Sequence, residues 1–242
     1  MGKKRLDSLL VDRGLAPSRK RAQALILAGL VRANGLSTHK AGTLVDEAAD
    51  LHIQQPFPFV GRGALKLDHA LLAFSLDVTD FVALDVGAST GGFTDCLLQR
   101  GAKKVYALDV GYGQLDLKLR NDPRVAVMER VNAHHHFTLP ESIDIATVDV
   151  SFISVRKVIP NIIPLLKDTG SLIILLKPQF EAQRKQVKRG GLVKDPLVHA
   201  EVLGIAVIWA ISKGLQLKGI VPSPVLGTKG NQEFLILMNK VP

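Results

Sequence analysis

From residue 60 onward, short apolar segments alternate with amphipathic ones, and this alternation constrains the fold more than any other feature of the sequence. Seven segments have the length and composition of strands, namely FVALDVG, KKVYALDV, RVAVME, IDIATVDV, SLIILLK, LQLKGIV and QEFLILM. In the central ones Val, Ile and Leu occupy both odd and even positions, as burial on two faces requires. Residues 94–100, 155–166 and 196–213 have helical period and length. The pattern predicts an α/β domain with a Rossmann-like, seven-stranded, mostly parallel sheet.

A glycine-rich turn follows the first of these strands, in the sequence FVALDVGASTGGFTD. Gly87, Gly91 and Gly92 stand where the backbone must bend sharply or approach a ligand closely, and Ser89 and Thr90 lie between them. The turn alone is weak evidence, because dinucleotide enzymes use a similar one and tight packing can also demand glycine. It indicates a nucleotide-binding crevice.

Two acidic residues flank this turn and favour a cofactor other than a dinucleotide. Asp85 precedes the glycines, where it would repel a pyrophosphate but could anchor a cationic amino group directly or through water. Asp109 ends the next strand and suits the two hydroxyls of a ribose, although an exposed strand-end aspartate is the alternative. Asn132 follows the third strand, near the expected adenine edge. This arrangement suits S-adenosylmethionine, which carries a sulfonium and an ammonium.

Four further ionisable residues stand at strand or helix ends that would converge on the crevice: Lys66, Asp149, Lys177 and Glu233. Methyl transfer to a ribose 2′-hydroxyl requires a base, because a neutral alcohol is a poor nucleophile. We expect Lys177 to be that base, with Lys66 close enough to lower its pKa. The two carboxylates would orient the amines. For each residue taken singly, a structural ion pair is the alternative interpretation.

The first 60 residues have a different character, with nine Lys and Arg against five Asp and Glu. A helix is predicted over residues 5–13, and a second one would begin at Ser18 as N-cap. Gly14 and Gly29 would end these helices, and Asn34-Gly35 is the strongest short-range hairpin signal. Further short strands are expected near Val45 and residues 51–53. The region is predicted to be a small α+β domain.

The order RLDSLLVDRG, SRKRAQALILAGLV, NG resembles the S-four-like RNA-binding domain over nearly all of residues 3–54. The resemblance implies that Ser18, Arg19, Lys20 and Arg21 face RNA, although a charged turn of this kind is often only a solvated helix face. The QQPFPF stretch at 54–59 is typical of a stiff linker. We expect residues 1–54 to be the RNA-binding domain, 55–60 the linker and 61–242 the catalytic domain.

The motifs GRGALKL, LDVGASTGGFTD, ALDVGYGQL, VDVSFIS, LLKPQFE and KGNQEFL resemble the TlyA family, in which ribosomal RNA 2′-O-methyltransferases carry an FtsJ-like, class I catalytic domain. The resemblance implies that Lys66, Asp149, Lys177 and Glu233 form the catalytic set. It also implies S-adenosylmethionine as cofactor and a cytidine ribose of rRNA or a ribosomal subunit as substrate. Shorter members act on the large subunit alone, which this chain's length favours. The linker lacks the Arg-Ala-Trp-Val run of some members.

A basic segment, FEAQRKQVKRGGLVKDP, follows Lys177 closely in the chain. We predict that it is a mobile loop in which Arg184, Lys185, Lys188 and Arg189 hold RNA phosphates, with binding that weakens as salt rises. A solvated loop without a ligand is the alternative.

Charge and residue usage restrict the other possibilities. The net charge of +9 favours a phosphate-bearing partner, and Cys96, the sole cysteine, allows no disulfide within the chain and suits the cytoplasm. His134, His135 and His136 are adjacent but lack matching ligands, so we expect a solvated loop and no metal site. No apolar run approaches the length of a membrane span. The oligomeric state is left open.

Three other functions compete with RNA methylation. A nicotinamide-dependent oxidoreductase shares the fold and the glycine turn, and calorimetry with S-adenosylmethionine against NAD would separate the two. A membrane-lytic protein is suggested only by the name haemolysin that some family members carry, and dye release from liposomes would test it. A non-enzymatic ribosome-binding factor is the third.

Overall fold

The structure, a computed structural model, describes residues 2–54 and 58–241. The chain divides into two compact units, Met1–Pro58 and Phe59–Pro242. Half of the predicted linker, residues 55–57, lies outside the described residues. Within the described ranges, none of the helices has both the length and the apolar character that a membrane span requires.

The N-terminal unit combines two helices with short strands, as the sequence predicted. In chain order these are β1 (Lys3–Arg5), α1 (Leu6–Asp12), α2 (Arg19–Leu27), β2 (Val31–Ala33), β3 (Leu36–Ser37), β4 (Leu44–Asp46) and β5 (Leu51–Ile53). The Ser18 side chain caps α2 by accepting from the Arg21 N–H, and Asn34 and Gly35 both take positive φ in the hairpin between β2 and β3. The sequence did not predict β1, which pairs with β4.

A buried carboxylate ties this unit together. Asp7 has no exposed surface and accepts hydrogen bonds from Arg5 Nη2 at 2.9 Å and Gln23 Nε2 at 2.9 Å. Arg19 Nη2 lies 3.3 Å from the same carboxylate. The Arg5 guanidinium holds the pKa of Asp7 well below its usual range. Asp7 therefore joins β1 to α2 through charge-assisted hydrogen bonds.

The second unit alternates strands and helices along the chain. Its elements are α3 (Ala64–Ala73), β6 (Val82–Val86), α4 (Gly92–Gln99), β7 (Lys104–Asp109), α5 (Leu117–Arg120), β8 (Val125–Glu129), β9 (Ile143–Val148), α6 (Ile159–Ile162), β10 (Leu166–Leu176), α7 (Pro178–Glu181), α8 (Pro196–Ile211), β11 (Leu215–Pro222) and β12 (Phe234–Lys240).

In the described part of the chain, β6 to β12 form one seven-stranded sheet in the order β11-β12-β10-β9-β6-β7-β8. Pairing is parallel from β10 through β8, whereas β12 runs antiparallel to both of its neighbours. All seven predicted strands are confirmed. The chain order reverses beside β6, which makes the carboxyl ends of β6 and β9 the expected place for a ligand.

Hydrophobic cores cover both faces of this sheet, which explains why the central strands carry apolar residues at both odd and even positions. Leu84 and Ile174 belong to the core that includes α6 and α8, while their neighbours Ala83 and Ile173 belong to the core that includes α3 and α4. Adjacent strand residues point to opposite faces, so each strand contributes to both cores.

One predicted helix is broken. Residues 155–166 were expected to form a single helix, but the structure has 3₁₀ turns at Val155–Lys157 and Ile163–Leu165 on either side of α6, and Leu166 already begins β10. Pro160 and Pro164 explain the difference, because each lacks the N–H that a continuous α-helix needs at that position. The prolines shorten the crossover between β9 and β10.

Candidate active site

Two elements bring Lys66 and Glu233 together. Lys66 lies in the first turn of α3, and Glu233 directly precedes β12. Because β12 runs against the other strands, its beginning lies at the same edge as their carboxyl ends. Lys66 Nζ donates to Glu233 Oε2 at 2.5 Å, and the glutamate side chain is only 3% exposed. The ion pair therefore joins α3 to the edge of the sheet.

Lys177 and Asp149 form the second pair, at the ends of β10 and β9. Lys177 Nζ lies 2.6 Å from Asp149 Oδ1, and it donates a hydrogen bond to Ser151 Oγ at 2.9 Å. Asp149 Oδ1 is buried and accepts no hydrogen bond of regular geometry, so its contact with the amine is an ion pair. The amine is thus held by an ion pair on one side and a hydroxyl on the other.

All four residues line one cavity of about 270 Å³, together with Gly87, Ser89, Thr90 and Gly92 of the glycine turn. The sequence placed these residues in separate motifs, and the sheet brings them to one point. In the structure each lysine forms an ion pair with a carboxylate, the arrangement expected if the carboxylates orient the amines. Neither ion pair joins one lysine to the other.

A second cavity, of about 530 Å³, adjoins the first and shares Gly87, Ser89 and Asp149 with it. Its walls are largely apolar, and Asp109 and Asn132 line it. Asp109 accepts from the backbone N–H of Ser89 at 2.8 Å and of Gly111 at 2.7 Å. A carboxylate offers about four acceptor positions, so Asp109 retains capacity for ligand hydroxyls.

The residues present fit S-adenosylmethionine. An apolar slot with one carboxylate and one amide at its edge suits an adenosine, and a cavity of this volume is in the range of cofactor sites. The adjoining cavity is lined by the Asp149 carboxylate, so a negative charge borders the space that a cationic cofactor would enter.

The glycines of the turn have separate roles. A Cβ at Gly87 would lie 2.4 Å from the backbone oxygen of Asp149, so only glycine allows β6 and β9 to end side by side. Gly91 has φ +97°, and a Cβ there would lie 2.2 Å from Leu119 Cδ1, so this glycine admits α5 against the turn. Gly91 therefore serves packing, whereas Gly87 and Gly92 line the cavity.

Asp85 does not line either of these cavities, contrary to the expectation of direct contact with a bound amino group. Its side chain is fully buried, and it accepts hydroxyl hydrogen bonds from Thr94 at 2.7 Å and Thr147 at 3.0 Å. Burial raises the pKa of Asp85 to about 7. The carboxyl fixes β6 to α4 and β9, and contact through water stays a prediction.

The raised pKa predicts a pH dependence of stability. An unfolded aspartate ionises near pH 4, whereas the buried Asp85 keeps its proton to about pH 7, so the native state binds the extra proton between these values. Stability attributable to this group should therefore fall as pH rises from 4 to 7 and then level off. Asp85→Asn, which stays neutral, should gain in thermal midpoint relative to the natural protein over that range. Exposed Asp80→Asn is the control; parallel pH curves for all three proteins would contradict the assignment.

The basic segment after Lys177 folds back on itself in a turn. It contains a 3₁₀ turn at Arg184–Gln186 and a bridge between Lys188 and Leu192. Asn231, buried beneath it, accepts from Val193 N–H at 2.9 Å and donates to the Gly191 oxygen at 2.9 Å. The mobility predicted for this segment stays a prediction.

The predicted RNA contacts lie at exposed places in their respective units. Arg184, Lys185, Lys188 and Arg189 are exposed, and in the described part of the chain none of them pairs with a carboxylate. In the N-terminal unit Lys20 and Arg21 are exposed, whereas Arg19 is held by Asp7 and the Ser18 hydroxyl is engaged as N-cap. Of these, Lys20 and Arg21 are the most available to a phosphate.

Sequence reasoning missed several residues of the site. Ser151 holds Lys177, Gln114 lines the larger cavity, and Asn231 fixes the basic turn. Each lies inside a quoted motif, but a neutral polar residue gives no signal of its role before its partners are known. The three adjacent histidines lie in an exposed turn, and over the described residues no three His, Cys, Asp or Glu side chains group as a metal site.

Comparison with known families gives two matches. A model of FtsJ-like methyltransferases matches residues 59–240, and a model of the S4 domain matches residues 4–51. The first match contains both cavities and all four ionisable residues described above.

Individual relatives cover almost the whole chain. A candidate rRNA methyltransferase from Bacillus subtilis, YqxC, is 47% identical over 241 residues, which cover 97% of this chain and 85% of the relative. The 16S/23S rRNA (cytidine-2′-O)-methyltransferase TlyA of Mycobacterium tuberculosis is 44% identical over 238 residues, covering 96% of this chain and 88% of the relative. The structure of a candidate hemolysin from Streptococcus thermophilus is 42% identical with a TM-score of 0.75, covering 100% of this chain and 90% of that one.

Proposed function

We propose that this chain, which belongs to the FtsJ-like methyltransferase family and to the TlyA group within it, methylates the 2′-hydroxyl of a cytidine ribose in ribosomal RNA. Methyl transfer and the use of S-adenosylmethionine are properties of the family. The nucleotide, the base and the RNA contacts are the proposed part. The observation that supports them best is the convergence of Lys66, Asp149, Lys177 and Glu233 on one cavity beside the cofactor slot.

Bound S-adenosylmethionine supplies a methyl group on a positively charged sulfur. Asp109 would accept from its ribose hydroxyls and Asn132 would meet its adenine, since both line the apolar cavity. The turn around Gly87 would lie against the remainder, where the backbone can approach a ligand closely.

Lys177 is assigned as the base that takes the proton from the 2′-oxygen. To act as the base, the amine takes up the proton of the 2′-hydroxyl and becomes an ammonium, which Asp149 at 2.6 Å would stabilise. Ser151 accepts one amine N–H and so fixes the direction in which the nitrogen lone pair points. Lys66, held by Glu233, adds a positive charge where the oxygen becomes negative.

The RNA would be held by surfaces on each unit. The S4 domain, through Lys20 and Arg21, is proposed to select structured rRNA, and the basic segment at 184–189 would hold the backbone near the cavity. An rRNA substrate, free or in a ribosomal subunit, would place the enzyme in the cytoplasm.

The direct test is to map 2′-O-methyl groups on rRNA from cells with and without the gene. We expect at least one cytidine, in the large-subunit RNA, to lose its methyl group when the gene is absent and to regain it on complementation. Identical methylation maps would overturn the proposal. A methyl group lost from a base rather than from a ribose would leave the enzyme class intact but refute the 2′-oxygen as acceptor.

A further inference from the structure

A third cavity, of about 240 Å³, adjoins the catalytic residues and shares Ser151 and Phe152 with the cofactor slot. Lys177 and Glu233 line it as they line the reaction cavity, and its other wall includes Gly190, Gly191 and Lys229. A substrate that reaches Lys177 without displacing the cofactor therefore has this space available.

Lys229 is held in a backbone conformation that lysine rarely adopts. Its φ of 64° and ψ of 11° are left-handed, within the turn between Gly227 and Gly230. Such a conformation is strained for a residue with a Cβ, and it persists where the surroundings fix it. This turn packs directly against Glu233, because a Cβ at Gly227 would lie 2.0 Å from Glu233 Oε1. The packing holds the turn in place.

The part of the cavity wall formed by Gly190 and Gly191 is also fixed, and it is open. Gly190 and Gly191 both have positive φ, and no atom lies within 4 Å of where a Cβ would stand on either. Asn231, 3% exposed, clamps this wall through its hydrogen bonds to Gly191 and Val193. The exposed Lys229 and this stretch of backbone free of side chains thus line the same cavity as Lys177.

We propose that Lys229 and the Gly190–Gly191 turn form a subsite for the phosphodiester adjoining the target ribose. This inference rests on the proposed function. In RNA the 3′-phosphorus is joined through one oxygen to the carbon next to the 2′-carbon, so this phosphate must lie close to Lys177, the proposed general base. Lys229 pairs with no carboxylate among the described residues, and the charge of Glu233 is already paired with Lys66. An unpaired ammonium that shares a cavity with accessible backbone suits an anionic oxygen.

Lys229→Gly tests the subsite because it separates binding from stability. Glycine adopts positive φ without strain, so the variant should unfold at the same temperature as the natural protein or higher. We expect its Kd for a short fluorescein-labelled RNA of mixed sequence to rise about tenfold, and the salt slope of log K to decrease by about 0.7, as loss of one phosphate contact predicts. Lys229→Arg, which keeps the positive charge, should retain most of the RNA affinity of the natural protein.

Lys218→Ala is the matched control, since Lys218 is an exposed lysine on β11 that does not line the cavity. Its RNA affinity and salt slope should equal those of the natural protein. Unchanged affinity and slope in Lys229→Gly would refute the subsite, as would an equal loss in both variants. Because this assay needs no methylation, a failed rRNA map with a positive binding result would refute the proposed function and leave Lys229 as a phosphate contact for bound RNA, without a target ribose beside it.

Discussion

Replacing Lys177 by alanine or by arginine should reduce methylation of rRNA by about a thousandfold, as the loss of a positioned general base predicts. Arginine is the sharper change, because it can keep the ion pair with Asp149 but stays protonated and cannot accept a proton. Transfer of a labelled methyl group to rRNA from cells lacking the gene, at saturating cofactor, would measure the loss.

RNA binding should be nearly unchanged in both variants, which separates a base from an RNA anchor. Lys157→Ala, a change at an exposed lysine outside the cavities, is the control and should keep full activity. Activity in Lys177→Arg with none in Lys177→Ala would show that the position needs a charge rather than a base. Full activity in both would refute the assignment, and a chain that binds rRNA but never methylates it would be a ribosome-binding factor.

The fold was predictable because its signals are local. Residues 172–176 of the segment SLIILLK are apolar at five successive positions, and this pattern has few interpretations other than a strand buried on both faces. The helix expected at 155–166 failed for an equally local reason, since Pro160 and Pro164 lack the N–H groups that would have made it continuous.

The site was predictable only as a list of residues. Lys66 and Glu233 are 167 positions apart in the chain, and their contact depends on β12 being the antiparallel strand. The family resemblance identified the four residues. The distances between their side chains follow from the strand order and strand directions of the sheet. Partners such as Ser151 and Asn231 carry no charge pattern that could reveal them, and the burial of Asp85 depends on Thr94 and Thr147 from two other elements.

The close approach of β6 and β9 leads to the second large expected effect, a loss of catalytic efficiency in Gly87→Ala. The added Cβ would lie 2.4 Å from the Asp149 oxygen and 2.9 Å from its carbonyl carbon, and this neighbour is backbone that cannot rotate away. The Asp149 N–H is also bonded to the Val86 oxygen at 2.9 Å, so relief requires the two strand ends to separate. Because a misplacement of about 1 Å can cost a hundredfold, we expect kcat/KM for S-adenosylmethionine to fall by at least about that factor.

Gly214→Ala separates this clash from backbone strain. Gly214 has φ +81°, close to the +86° of Gly87, but no atom lies within 4 Å of its missing Cβ. Both variants should therefore lose about 1 kcal/mol of stability to the left-handed conformation, and Gly87→Ala should lose a further 1–3 kcal/mol to overpacking. Calorimetric titration with S-adenosylmethionine should show weakened binding in Gly87→Ala alone. Equal cofactor affinity in the two variants would mean that the junction of β6 and β9 does not shape the cofactor site.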